Sequence, residues 1–124
     1  MFANPLSTLA QDIYADNVEK GWWDDATAYG GRIQDKYLIP TKIALMHSEL
    51  SEALEGNRKN LMDTHLPQYP MEAVEYADTI IRILDVCGHR GFDIGRIVAD
   101  KRAYNAIRAD HTREARAAAG GKAV

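Results

Sequence analysis

Four carboxylates stand in two pairs of identical spacing, Glu49-Leu50-Ser51-Glu52 and Glu75-Tyr76-Ala77-Asp78. Within a helix, residues three apart project from one side, about 60° from each other. Like charges that close repel and weaken an isolated helix. Two such pairs on consecutive helices would bring four carboxylates toward one small volume, which only a cation makes tolerable. An all-oxygen ligand set favours a hard divalent ion, Mg²⁺ or Mn²⁺, over zinc. Spacing alone leaves a second reading equally open, because charges three apart also mark a solvated helix face.

The elements that must position these groups read as helices. The first is predicted over residues 7–20, with Ser7 as N-cap, Leu9 and Ile13 on its apolar stripe and Gly21 as its stop. Trp22-Trp23-Asp24-Asp25 and the stretch to Gly30-Gly31 read as a loop. A second helix is expected over residues 41–56, directly after Pro40, with Ile43, Met46, Leu50 and Leu54 as its buried stripe. Glu49, Glu52 and Leu45 fall on another sector. Residues 57–69 read as a connection, broken by Pro67.

Pro70 suits the first position of a third helix, expected to run to Cys87 and to be closed by Gly88 and Gly91. Its stripe is Ala73, Ala77, Ile80 and Leu84, with Glu75 and Asp78 on a different sector. Asp85 lies two turns beyond Asp78 on nearly the same side. Asp93 caps a fourth helix over residues 94–108, with Ile94, Ile97, Val98, Tyr104 and Ile107 as apolar contacts. The end of the chain, from about residue 110, reads as a flexible tail, with fraying over residues 117–124. No segment shows a period of two. The expectation is a single all-α domain over residues 1–124, a four-to-five-helix bundle with an antiparallel central pair.

Composition narrows the function. A length of 124 residues suits one core, and 46% hydrophobic with 27% charged residues is ordinary for a globular protein. A net charge of -3 speaks against nucleic acid or an anionic membrane as partner. The lone Cys87 excludes an internal disulfide and a cysteine-rich metal site, and reads as a small buried apolar residue. No apolar run has the length of a bilayer span, and residues 1–11 lack a signal peptide's order, so a cytoplasmic protein is expected. No glutamate has a histidine three positions later, which opposes a di-iron bundle. His47 has no histidine partner at metal spacing and is assigned to packing or hydrogen bonding. Arg102, Arg108, Arg113 and Arg116 match no DNA-recognition motif.

Other residues suggest a ligand. Trp22 and Trp23 offer a stacking platform, with one ring expected inward and one at a pocket. Lys101, Asn105 and Arg108 share one helix face, where an ammonium and a guanidinium suit phosphate. Asn17 and Lys20 suit phosphate or base, or equally the end of the first helix.

The pattern E-x-x-E followed by E-x-x-D on the next helix resembles the MazG-like all-α nucleoside triphosphate pyrophosphohydrolases. Glu49 and Glu52 match the first half, Glu75 and Asp78 the second, and Ser48 stands where that family doubles its first glutamate. Asn17-x-x-Lys20-Gly21-Trp22-Trp23, the run from Leu45 to Ala53, and Lys101-x-x-Tyr104-Asn105-x-x-Arg108 are similar to segments of its small phage-type members. His111 and Gly120-Gly121-Lys122 resemble their tail, with extra residues between. The resemblance implies hydrolysis of a nucleoside triphosphate between its α and β phosphates. It makes Glu49, Glu52, Glu75 and Asp78 the catalytic and metal-binding set for two or more Mg²⁺ or Mn²⁺ ions. It makes Asn17, Lys20, Trp22, Trp23, Lys101, Tyr104, Asn105 and Arg108 the substrate-binding set. It leans to purine deoxynucleotides such as dGTP, in a homodimer or homotetramer. The alternatives are a non-catalytic helical oligomerisation module and a dCTP- or dUTP-type pyrophosphatase of the same superfamily.

Overall fold

A computed structural model describes residues 2–26, 30–108 and 112–124. Five helices follow in order: α1 (Pro5–Glu19), α2 (Asp35–Lys59), α3 (Met71–Arg90), α4 (Ile94–Ile107) and α5 (Arg113–Ala117). The described residues contain no strand, so the all-α expectation holds. None of these helices is long and apolar enough to cross a membrane.

Helix α1 starts earlier than predicted. Asn4 is the N-cap, its side chain accepting from the Leu6 N–H at 2.9 Å, and Pro5 supplies the first turn. Ser7 is inside the helix and fully buried. Its hydroxyl donates to Asp93 Oδ1 at 2.5 Å and accepts from the Gly95 N–H at 2.8 Å. It therefore joins α1 to the start of α4, where Asp93 also caps Arg96.

Helix α2 also begins earlier, at Asp35, with Pro40 inside it. The proline removes one N–H from the helical ladder. That loss is offset by Leu38, which packs into a core with Trp23 and Ala26, partly covered by Tyr14, Val18 and Ile33. Tertiary burial thus overrides the local stop signal. Helix α3 runs past Gly88 to Arg90, and Gly91 at φ 69° ends it. At Gly88 a Cβ would sit 2.5 Å from the Ala10 carbonyl oxygen and the Tyr14 Cβ, so this glycine lets α1 and α3 approach closely. Ala10, Leu84 and Cys87 form the second core there, with Leu6, Ile13 and Ile94 against it.

The predicted apolar stripes are not what α2 and α3 bury. Ile43, Leu50 and Leu54 are 45%, 46% and 61% exposed, and Ile80 is 52% exposed. The buried positions are Leu38, Ala53 and Gly56 on α2, and Glu75, Thr79 and the run from Leu84 to Cys87 on α3. The two helices meet through the sector that carries the acids. Gly56 lies against Met71 and Glu72, Asn57 hydrogen-bonds Glu72 at 2.7 Å, and Arg82 reaches Glu49 at 2.8 Å. On α4, Ile94 packs against the second core, while Ile97, Val98, Tyr104 and Ile107 are exposed. Beyond it, Arg116 of α5 donates to the Lys122 and Ala123 carbonyls. His111 lies outside the described residues.

Ser7→Ala should destabilise the protein by about 1–3 kcal/mol in urea denaturation, because it strips a partner from both the buried Gly95 N–H and the Asp93 carboxylate. Thr8→Ala, at an exposed position on the same helix, should change little.

Candidate functional site

Helices α2 and α3 bring the acidic residues together. Glu49, Glu52 and Glu75 offer carboxylate oxygens that all lie within 4.8 Å of one another. Asp78 stands beside them, interacting with both Glu49 and Glu75. Glu75 is 8% exposed, and its Oε2 is buried without a hydrogen-bond partner. An acid in that position resists ionising. Burial pushes the Glu75 carboxyl up to about 8, helped by its hydrogen bonds to Glu49 and Glu52 and by the charges of Glu52 and Asp78. Asp78 is raised for the same first reason, burial, and then by Glu49. Burial also acts to raise Glu49, but hydrogen bonds from Glu75 and Arg82 outweigh it and hold that carboxyl below its ordinary value. Protonated Glu75 is thus the donor and ionised Glu49 the acceptor. Arg82, four residues after Asp78, supplies the local cation, but it pairs with Glu49 on the other helix. The Ser48 hydroxyl donates to the Leu45 carbonyl at 2.6 Å, so it adds nothing to the cluster.

Glu49 of the cluster, with Asp78, lines a cavity of about 980 Å³, while Glu52 and Glu75 lie outside its wall. Glu49, Asp78 and Arg82 form one part of its wall. Trp22, Trp23, Ala26, Ile33, Leu38, Leu45 and Ile81 supply apolar wall, and Asn17, Asp25, Thr41, Lys42, His65 and Asp85 supply polar wall. The two tryptophans divide as expected. Trp23 is 1% exposed and donates its indole N–H to Asp85 Oδ1 at 3.0 Å. Its ring stacks on His89 with centroids 4.2 Å apart and meets Tyr14 edge-on. Trp22 is 68% exposed and also lines the cavity.

Lys42, Asp85, Arg82 and His65 were not singled out as ligand groups from the sequence. For Asp85 a signal existed, its register with Asp78. For Lys42 there was none, since only the fold sets its ammonium over the Trp23 ring at 4.2 Å, with a hydrogen bond to the Trp22 carbonyl. Burial lowers the Lys42 pKa, partly countered by Asp85. The backbone at His65 is held by Asp63, a buried carboxylate that accepts from the His65 and Leu66 backbone N–H groups at 2.9 and 2.8 Å.

Other candidates lie elsewhere. Lys20 is the C-cap of α1 and is not part of the cavity wall. Lys101, Tyr104 and Asn105 are on α4, with Arg108 as its C-cap, and they also do not line the cavity. Lys101 and Arg108 both lie over the Tyr104 ring, at 4.8 and 5.7 Å, and Asn105 Oδ1 is buried without a partner. His47, expected to serve packing or hydrogen bonding, is exposed, so of the two the packing role does not apply. Cys87 is buried in the core as expected, which raises its thiol pKa. Comparison with family models, curated proteins and solved structures gives no match.

Between pH 4.5, the ordinary glutamate value, and about 8, the folded chain keeps the Glu75 proton that the unfolded chain releases. The folded state therefore binds more protons, and this group's contribution to stability falls as pH rises through that window. In metal-free buffer, thermal denaturation of the wild type should show a midpoint that drops more steeply between pH 5 and pH 9 than that of Glu75→Gln. Parallel profiles would remove Glu75 as the titrating group.

Proposed function

We propose that this chain is a metal-dependent nucleoside triphosphate pyrophosphohydrolase of the MazG-like kind, cleaving between the α and β phosphates to give a monophosphate and pyrophosphate. The observation that carries the reading is the convergence of Glu49, Glu52 and Glu75 around a buried, unpartnered carboxylate oxygen, at the edge of a cavity with an aromatic wall. The donor set fits the metal: all ligands are oxygen, and the crowding that holds a proton on Glu75 is what a divalent cation would relieve. Glu49, Glu52, Glu75 and Asp78 would hold two or more Mg²⁺ or Mn²⁺ ions. Such ions, when bound, neutralise phosphate charge and lower the pKa of water.

The chain's own groups do the positioning. Glu52, the most exposed of the three clustered glutamates, orients the attacking water. Trp22 stacks on the base from its exposed ring face, and Asn17 lies on the same wall. The apolar wall excludes water from the nucleoside. The cavity volume suits a nucleotide-sized ligand. Substrate preference leans to purine deoxynucleotides such as dGTP, on resemblance alone.

The same reading includes an antiparallel α2–α3 pair, supported by contacts of Asn57 with Glu72 and of Glu49 with Arg82. It also includes a homodimer or homotetramer. Ile43, Leu50, Leu54, Ile80, Ile97 and Val98 are exposed on the single chain and offer apolar surface for such an assembly. A partner protomer would bring α4 groups such as Lys101 and Asn105 toward a triphosphate. A cytoplasmic setting belongs to the same reading. A second reading, a non-catalytic oligomerisation module, draws on that exposed surface and on the Arg82–Glu49 pair, which already neutralises one acid.

Two measurements separate them. Mg²⁺ or Mn²⁺ at a hundred times its Kd should stabilise the protein by about 2.7 kcal/mol, read as a rise in Tm. The oligomerisation module predicts no such rise. Pyrophosphate release from a panel of ribo- and deoxynucleoside triphosphates should fall about a hundredfold or more in Glu52→Gln and in Asp78→Asn. Near-normal turnover in both variants would overturn the assignment, as would release of inorganic phosphate with a diphosphate.

A further inference from the structure

The wall that α3 gives the cavity is a single stripe. Asp78, Ile81, Arg82 and Asp85 stand at i, i+3, i+4 and i+7, which is one helix face. Asp78 belongs to the acidic end and Asp85 to the end supported by Trp23, with Arg82 between them. The charge of Arg82 is felt on both sides, by Glu49 and Asp78 and by Lys42.

Within the chain, Arg82 uses only one edge of its guanidinium. Nε donates to Glu49 Oε1 at 2.8 Å, its one hydrogen bond among the described residues. The two terminal nitrogens have no protein partner, and neither is buried, the side chain being 37% exposed. A pair built only to neutralise Glu49 would gain from a second N–H on the other carboxylate oxygen. Glu49 instead bonds Glu75 and Glu52, and the arginine fork stays open. The end of that fork matches two oxygens of one phosphate. Divalent ions held by Glu49 and Asp78 would repel a guanidinium this close, and an anion bound among them offsets the repulsion.

We propose that Arg82 binds the substrate's phosphates: its Nε holds Glu49 in place as a metal ligand, while its two terminal nitrogens take phosphate oxygens. The inference rests on the nucleotide reading above. A ligand whose phosphates meet metal at Glu49 and Asp78, and whose remainder extends along the cavity, passes Arg82 in the middle of the α3 wall. Arg82 is then a positioning residue through Glu49 and a binding residue through its fork. Lysine would supply the charge that Glu49 needs without the fork, as one compact ammonium.

Arg82→Lys separates the two edges. Calorimetry at fixed free Mg²⁺ uses inorganic tripolyphosphate and the α,β-methylene analogue of dGTP. Whichever of the two the wild type binds should bind the variant about tenfold or more weakly. Mg²⁺ affinity, titrated without either, should stay within about threefold of wild type. Unchanged phosphate affinity overturns the proposal, since charge alone then suffices. Parallel loss of Mg²⁺ and phosphate affinity overturns it too, because Arg82 then serves Glu49 alone. Where the variant does not fold, the wild type decides by phenylglyoxal labelling read by mass spectrometry. Tripolyphosphate with Mg²⁺ should shield Arg82 where Mg²⁺ alone does not, and equal labelling overturns the proposal. Should the wild type bind either probe yet hydrolyse no triphosphate, the pyrophosphohydrolase reading fails separately and the binding ratio still decides this one. Should it bind neither, the phosphate role of Arg82 is overturned whatever the Mg²⁺ titration gives.

Discussion

The structure turns on one electrostatic conflict, the burial of Glu75 among other carboxylates where α2 meets α3. A carboxyl with 8% exposure and acids on either side cannot ionise without compensation. In the bare protein a retained proton and the Arg82–Glu49 pair provide it. Both are local solutions, and neither serves Glu75 Oε2, which stays unpartnered. A fold that placed these residues only for stability would gain by replacing Glu75 with an apolar side chain.

That conflict also explains why so much of the chain is arranged around two helices. Trp23, Ala26 and Leu38 anchor the α1–α2 loop and the early turns of α2 beside the cavity. Ala10, Leu84 and Cys87 hold α1 against the far end of α3, with Gly88 allowing the close approach. Between those cores the α2–α3 contact contains Glu49, Glu75, Thr79 and Arg82, so polar groups sit where a bundle usually has its centre. The apolar residues displaced from that contact end up on the outer surface, which is the physical link between the acidic site and the proposed assembly.

The cavity is polar at two ends and apolar between them. At one end, carboxylates crowd together. At the other, a single carboxylate and a single amine stay apart while sharing Trp23 as a common support. An aromatic that is fully buried and bonded through its N–H cannot slide, so the groups resting on it are held in place. Its neighbour Trp22 is exposed.

The sequence by itself determined the helical class, the order of the four main helices and the pairing of Glu49 and Glu52 with Glu75 and Asp78. These are local properties: period, capping residues and intrahelical spacing act within a few residues. It also determined the division of labour between Trp22 and Trp23, without saying which ring turns inward. Local signals misplaced the start of α1, where Asn4-Pro5 outranked Ser7, and the start of α2, where Leu38 burial outweighed Pro40. Only the tertiary structure decided which helix face is buried. Two sectors of α2 and α3 avoid charge equally well on paper, and the contact chosen depends on small residues such as Ala53 and Gly56 letting the helices approach. It alone brought Lys42 to Asp85 across forty-three positions of chain, because no spacing rule reaches between residues on different helices. It also left Lys101 to Arg108 away from the cavity, since α4 is fixed through its first turn by Ser7 and Asp93.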